Sequence, residues 1–266
     1  MQDVGRVWLA LAVLCAGVAR GAGPAYSAAG IVNASNFTSG PFAPNSVVSV
    51  FGTGLARSTH VLTDDDLVTC TTSLAGRCLP MEMNYVRVYV QDRPMPLLFV
   101  SSGQVNFVMS SVESAGPVRV RVVTEGITGP EITVTLVDAA PALFSMAGGY
   151  AIATDAKGKL LTAETPAHPK DIVVIYATGL GRTSPNPALG EIPNYAALML
   201  ASASLRVTLD GTPVDLSLIK YAGLTPGSAG LYQINLELPD WAGDDPEIRV
   251  TAGNQAGQSG LKLPVH

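Results

Sequence analysis

Over residues 118–123 and again over 132–137, apolar side chains alternate with polar ones, Val-Arg-Val-Arg-Val-Val and Ile-Thr-Val-Thr-Leu-Val. A period of two predicts strands with one face on a core and the other in water. Comparable runs of four to seven residues, rich in Val, Ile, Tyr and Thr and bounded by turn signals, recur along the chain, among them residues 47–51, 86–90, 172–176 and 205–209. This patterning predicts an all-β sandwich architecture. Residues 195–204 are the exception, because Ala-Ala-Leu-Met-Leu-Ala-Ser-Ala also suits a short helix, and their assignment stays open.

The runs repeat in order. Residues 44–57 (PNSVVSVFGTGLAR) align without a gap on residues 169–182 (PKDIVVIYATGLGR). Val86-Arg87-Val88-Tyr89-Val90 then matches Leu205-Arg206-Val207-Thr208-Leu209, and Gln104-Val105-Asn106-Phe107 matches Gln233-Ile234-Asn235-Leu236. Three matches in one order at a nearly constant offset indicate two copies of one module. We assign residues 1–27 to a signal peptide and short leader, 28–140 to the first module, and 141–266 to a connecting segment and the second. Each module is expected to open on the strand and Gly-Leu turn ending at Leu55 or Leu180. The connection carries Leu143-Phe144 and Tyr150-Ala151-Ile152 rather than the polar composition of a flexible linker, so the modules are expected to share a substantial interface.

Composition fits this outline. The 266 residues are 47% hydrophobic and only 14% charged, and they include 27 Gly and 19 Pro, which interrupt helices but suit tight turns. The net charge of −5 is spread along the chain with no basic cluster to neutralise a phosphate backbone, so no nucleic-acid partner is expected. After the N-terminus no apolar run approaches the roughly 20 residues of a membrane-spanning helix, so the mature chain is expected to lack a transmembrane segment.

The N-terminus reads as an export signal: Arg6, an apolar stretch over residues 7–19, then small residues at Gly21-Ala22-Gly23. Cleavage between about Ala19 and Ala28 removes Cys15, which Leu14 precedes where a lipoprotein signal needs a small residue. Cys70 and Cys78 remain, and in an oxidising compartment an even pair closing a short loop predicts a disulfide. The expected location is secreted or at the cell surface, with the periplasm as a variant.

Several stretches resemble a known family. Asn33-Ala34-Ser35-Asn36-Phe37, Phe51-Gly52-Thr53-Gly54-Leu55, the run PLLFVSSGQVNF at residues 96–107, Ala140-Pro141-Ala142-Leu143-Phe144 and Tyr221-Ala222-Gly223-Leu224-Thr225-Pro226-Gly227 resemble the Solibacter-type C-terminal domain of acidobacterial secreted proteins. The strand and Gly-x-Gly turn are also similar, more loosely, to the IPT/TIG branch of immunoglobulin-like domains. The resemblance implies two tandem immunoglobulin-like β-sandwich modules in an extracellular protein, with no catalytic residues to carry over. Residues 62–83, with the acidic Asp64-Asp65-Asp66 run and the two cysteines, depart from the pattern as an insertion.

Candidate chemistry is sparse. Gln104 and Asn106, like Gln233 and Asn235, lie two apart on a strand and so project from one face. They suit hydrogen bonding to a sugar or peptide, but their recurrence in both modules is easier to explain as architecture, the amides pairing with the backbone of loops that cross the sandwich. Asp64, Asp65 and Asp66 are candidates for Ca²⁺, although no spaced Asp-x-Asp-x-Asp-Gly loop surrounds them. The Gly-x-Gly turns lack the Lys-Ser/Thr of a phosphate loop. Of the aromatic residues, Trp241 is expected to be exposed and available for stacking. The three histidines, His60, His168 and His266, fall in loops or at the end, and neither a Gly-x-Ser-x-Gly elbow nor a His-Glu-x-x-His pair occurs. The expectation is therefore a non-catalytic binding or structural module with no cofactor and an unidentified extracellular protein or polysaccharide partner. The alternative is a secreted hydrolase whose loop-built site uses His168 beside Asp171.

Overall fold

The computed structural model describes residues 23–70, 74 and 76–266. The expected signal peptide lies outside the described residues, apart from 23–27 of its leader. The described chain is a pair of immunoglobulin-like β-sandwiches, one around each of two hydrophobic clusters. The first cluster gathers residues from Ile31 to Leu136, the second from Ala139 to Val265.

In the first module, β1 (Ala25–Asn33), β2 (Val47–Thr53), β3 (Val86–Val90), β4 (Leu97–Val100), β5 (Gln104–Val108), β6 (Gly116–Thr124) and β7 (Ile132–Leu136) are the main strands. One sheet runs β1-β2-β5-β4 and ends on the short strand His60–Val61. The facing sheet centres on β6, which pairs with both β3 and β7. In the second module, β8 (Ala142–Leu143), β9 (Ala153–Asp155), β10 (Ile172–Thr178), β11 (Ala197–Met199), β12 (Leu205–Leu209), β13 (Ile219–Leu224), β14 (Tyr232–Glu237) and β15 (Ile248–Ala252) repeat the plan. Here β10-β14-β13-β11 form one sheet and β12-β15 the centre of the other. The aligned sequence runs thus become equivalent strands: β2 and β10, β3 and β12, β5 and β14.

The period of two is realised residue by residue. Val86, Val88 and Val90 are buried while Arg87 faces out; Leu205, Val207 and Leu209 repeat this around Arg206. Burying such Val and Leu side chains contributes roughly 1.5–3 kcal/mol each, which fixes the register of every strand that carries them.

Two expectations change. Neither module opens on the Gly-Leu strand: β1 precedes and pairs with β2, and β8 and β9 precede and pair with β10. The turns after these strands do require glycine, since Gly54 (φ 65°) and Gly179 (φ 78°) are left-handed and a Cβ on Gly179 would collide with the Ala140 carbonyl oxygen. Residues 195–204 form no α-helix; they hold β11 and a single 3₁₀ turn at Ser202–Ser204. The apolar connection is buried: Leu143, Ala151 and Ala153 enter the second module's core, and the Leu143 carbonyl accepts from the Ser35 hydroxyl of the first module at 3.0 Å.

The expected interface between the modules exists, and most of its bonds lie beyond the connection. The Val47 N–H donates to the Thr178 hydroxyl at 2.9 Å, and that hydroxyl donates to the Gly230 carbonyl at 3.0 Å. Gly230 lies against Val47 and Val108 with no room for a side chain. Arg182 reaches from the second module to the carbonyls of Ser111 (3.0 Å) and Glu113. The insertion contributes as well: Leu79 N–H donates to the Gly190 carbonyl (2.8 Å) and Ile192 N–H to the Arg77 carbonyl (2.9 Å), while Leu189 packs on the first module's core. Cys70 and Cys78 are joined by a disulfide with a Cα–Cα distance of 5.7 Å, closing the hairpin that carries Arg77.

Candidate binding surface

The alternation that buries Val105 and Phe107 turns Gln104 and Asn106 to the outer face of the first module's larger sheet. There the Gln104 Nε2 donates to the Asn106 Oδ1 at 2.8 Å, and the Ser49 hydroxyl donates to the same oxygen at 2.8 Å. The second module repeats the arrangement, with Gln233 Nε2 donating to Asn235 Oδ1 at 2.9 Å. The amides therefore bind each other on a half-buried face, and among the described residues these side-chain bonds run to one another and to Ser49 rather than to loop backbone.

Register places an aromatic ring across from each glutamine. Phe51 is paired with Gln104 and Tyr176 with Gln233, and the two rings occupy the same place in the repeat. Phe51 is 37% exposed, and its ring meets that of Phe37 with centroids 6.1 Å apart. Phe37 is itself 62% exposed and sits at φ 58°, a left-handed conformation unfavourable for an aromatic residue. Neither phenylalanine was singled out by sequence reasoning. Phe51 was within its reach, since the repeat aligns it with Tyr176 and its parity matches Ser49; Phe37 carried no signal of its exposure.

Trp241 is 49% exposed, as expected, but lies beyond the end of β14, in the loop after Asp240. The aspartate triplet forms a 3₁₀ turn whose carboxylates go to different partners. Asp64 Oδ1 accepts from Arg77 at 3.0 Å, whereas Asp66 takes His60 Nε2 (2.9 Å) and the Thr63 backbone N–H (2.7 Å) and hydroxyl (2.8 Å). These donors, His60 first, hold the Asp66 carboxyl below the usual aspartate value. Among the described residues no group of three or more His, Cys, Asp or Glu side chains is placed to hold a metal ion.

The histidines are equally dispersed. His168 Nδ1 lies 3.6 Å from Asp171 Oδ2 with both side chains in solvent, and His266 Nδ1 lies 3.3 Å from Asp244. Among the described residues the side-chain partner of each imidazole is an aspartate: Asp66 for His60, Asp171 for His168 and Asp244 for His266. At the joint, Tyr195 donates to the buried Glu191 at 3.0 Å, and burial together with that bond pushes its phenol up to about 12.

No protein family model and no curated protein sequence matches the chain. Among solved structures, the chain is similar to the surface glycan-binding protein SGBP-B of the Bacteroides ovatus mixed-linkage glucan utilization locus, in complex with a heptasaccharide (10% identity, 84% of this chain, 42% of that one, TM-score 0.33). It is also similar to the surface glycan-binding protein PbSGBP-B of Prevotella bryantii (10% identity, 84% of this chain, 36% of that one, TM-score 0.27). The tandem Ig repeats of Dlar cover 92% of this chain at 11% identity and a TM-score of 0.22. The chain spans less than half the length of the two glycan-binding proteins, and similarity this slight has no bearing on what it binds. No helix among the described residues is long and apolar enough to cross a membrane.

Proposed function

We propose that the protein is an extracellular, non-catalytic recognition module whose partner is a polysaccharide. The observation that carries this reading is the doubled outer-face patch, Phe51 across from Gln104 and Asn106, and Tyr176 across from Gln233 and Asn235. Aromatic faces stack on the C–H faces of sugar rings and primary amides match vicinal hydroxyls, while both sit on rigid strands that lose little freedom on binding. Each glutamine is held by its asparagine, so the amide plane is set before any ligand arrives. The Cys70–Cys78 bridge supports an oxidising compartment.

The test is affinity electrophoresis and calorimetry of the secreted protein against a panel of soluble polysaccharides, with Phe51→Ala and Tyr176→Ala beside the parent. Retardation weakened by either substitution supports the reading. Absence of binding across the panel, or glycoside or ester hydrolysis abolished by His168→Ala, overturns it.

A further inference from the structure

Where the two modules meet, a cleft of about 260 Å³ opens between the loop after β1 and the short strand Gln255–Ala256 with the turn that follows it. Asn33, Asn36, Thr38, Pro41, Gln255 and Gln258 line it, and no charged residue does. Gln258 is committed to the structure: its carboxamide clasps the backbone of Leu143, donating at 2.6 Å and accepting at 3.1 Å. Asn36 is half committed. Its Oδ1 accepts the Thr38 N–H (3.1 Å) and hydroxyl (2.8 Å), which fixes the amide and leaves its NH₂ as a donor. Gln255 pairs only through its backbone among the described residues.

Phe37 lies between two of these lining residues in sequence, held by a tight turn in which its N–H donates to the Asn33 carbonyl (2.9 Å) and Asn33 N–H to the Thr38 carbonyl (2.8 Å). The turn holds an aromatic residue in a left-handed backbone and leaves much of its ring in water, both unfavourable for the folded chain. The ring's aromatic neighbour among the described residues is Phe51, which stands across from Gln104. Asn36 and Thr38 of the uncharged cleft thus flank Phe37 in the chain, Phe37 meets Phe51, and Phe51 stands across from Gln104.

We propose that the cleft and the Phe37–Phe51 pair form one binding site for a neutral oligosaccharide segment, and this rests on the polysaccharide reading above. A sugar ring stacks on Phe37, hydroxyls meet the Asn36 NH₂ and the Gln255 amide, and the chain continues over Phe51 to Gln104. An uncharged lining offers nothing to neutralise a uronate or sulfate, which would be desolvated without compensation. A peptide fits less well, because the strand edge beside the cleft, Gln255–Ala256, is only two residues long.

Calorimetry of the full chain with cello-, xylo-, manno- and maltohexaose, and with oligogalacturonate as the charged counterpart, tests this. At least one neutral hexaose is expected to bind, and Phe37→Ala to weaken it about tenfold. Gln255→Ala and Asn36→Ala should each weaken it several-fold, whereas Trp241→Ala should leave it unchanged. Circular dichroism is expected to show that these variants fold like the parent. If Tyr176→Ala abolishes binding while Phe37→Ala and Gln255→Ala do not, the site is elsewhere and the polysaccharide reading survives. Equal affinity for oligogalacturonate overturns the neutral specificity. Failure of every saccharide to bind overturns both readings.

Discussion

Val47 and Thr178, one from each module, are joined by a 2.9 Å hydrogen bond from the backbone N–H of the first to the hydroxyl of the second. Thr178 is buried and passes its own proton to the Gly230 carbonyl, so one hydroxyl satisfies two backbone groups at the centre of the joint. Thr178→Val keeps the shape and removes both bonds. The variant is expected to lose about 1–3 kcal/mol per stranded group, measured by urea unfolding, with Thr178→Ser recovering most of it. The equivalent residue of the first module, Thr53, is exposed, and Thr53→Val should change stability by less than about 0.5 kcal/mol.

The same asymmetry separates two arginines that the repeat makes equivalent. Arg182 donates across the joint to the Ser111 and Glu113 carbonyls, whereas Arg57 is paired with Glu125 at the surface. Arg182→Ala is expected to cost about 1–3 kcal/mol, and Arg57→Ala no more than about 1 kcal/mol, in parallel unfolding experiments.

Reducing the disulfide should act on the joint before it acts on either core. Closing a loop across a sequence separation of 8 removes chain entropy worth about 2–3 kcal/mol. The hairpin it closes supplies the Arg77 and Leu79 bonds to the second module. In a Cys70→Ser, Cys78→Ser variant, hydrogen exchange should quicken at the Leu79 and Ile192 amides and stay slow along β2, β5, β10 and β14. Uniform acceleration would show that the hairpin supports the cores instead.

Asp66 gives the insertion a pH dependence. Its carboxyl is held below the usual aspartate value by His60 and Thr63, so the ionised form is the one the fold favours. That contribution is in place above the unfolded value of about 4 and is lost as pH falls through the lower, folded one. A carboxyl NMR titration should show the Asp66 inflection displaced downward, with the Thr63 amide moving in step. Asp66→Asn should remove that response.

Much of the fold was legible because burial leaves a periodic trace: the valines at 86, 88 and 90 and the leucines and valine at 205, 207 and 209 declare their inward face. Repetition extended that legibility to the candidate surface, since Gln104, Asn106, Gln233 and Asn235 stand at matching places and Phe51 aligns with Tyr176. Phe37 was hidden because its exposure depends on one left-handed residue in a turn, which no periodicity records. The joint was hidden for another reason. Apart from the Thr178 hydroxyl and the Glu191 carboxylate, the acceptors described there are carbonyls, those of Arg77, Ser111, Glu113, Leu143, Gly190 and Gly230, groups that every residue carries and that no side-chain pattern can announce. The aspartate triplet misled in the opposite direction, for adjacent carboxylates on a tight 3₁₀ turn point apart and find separate donors.

The disulfide-closed hairpin also changes how the molecule bears load. The covalent connection crosses between the modules near residues 137–141, and the hairpin crosses again through Leu79–Gly190 and Arg77–Ile192. Beside the Val47–Thr178–Gly230 contact and the Arg182 bonds, the hairpin is one more fastening, and each fastening added leaves the two sandwiches less freedom to swing about the chain that joins them.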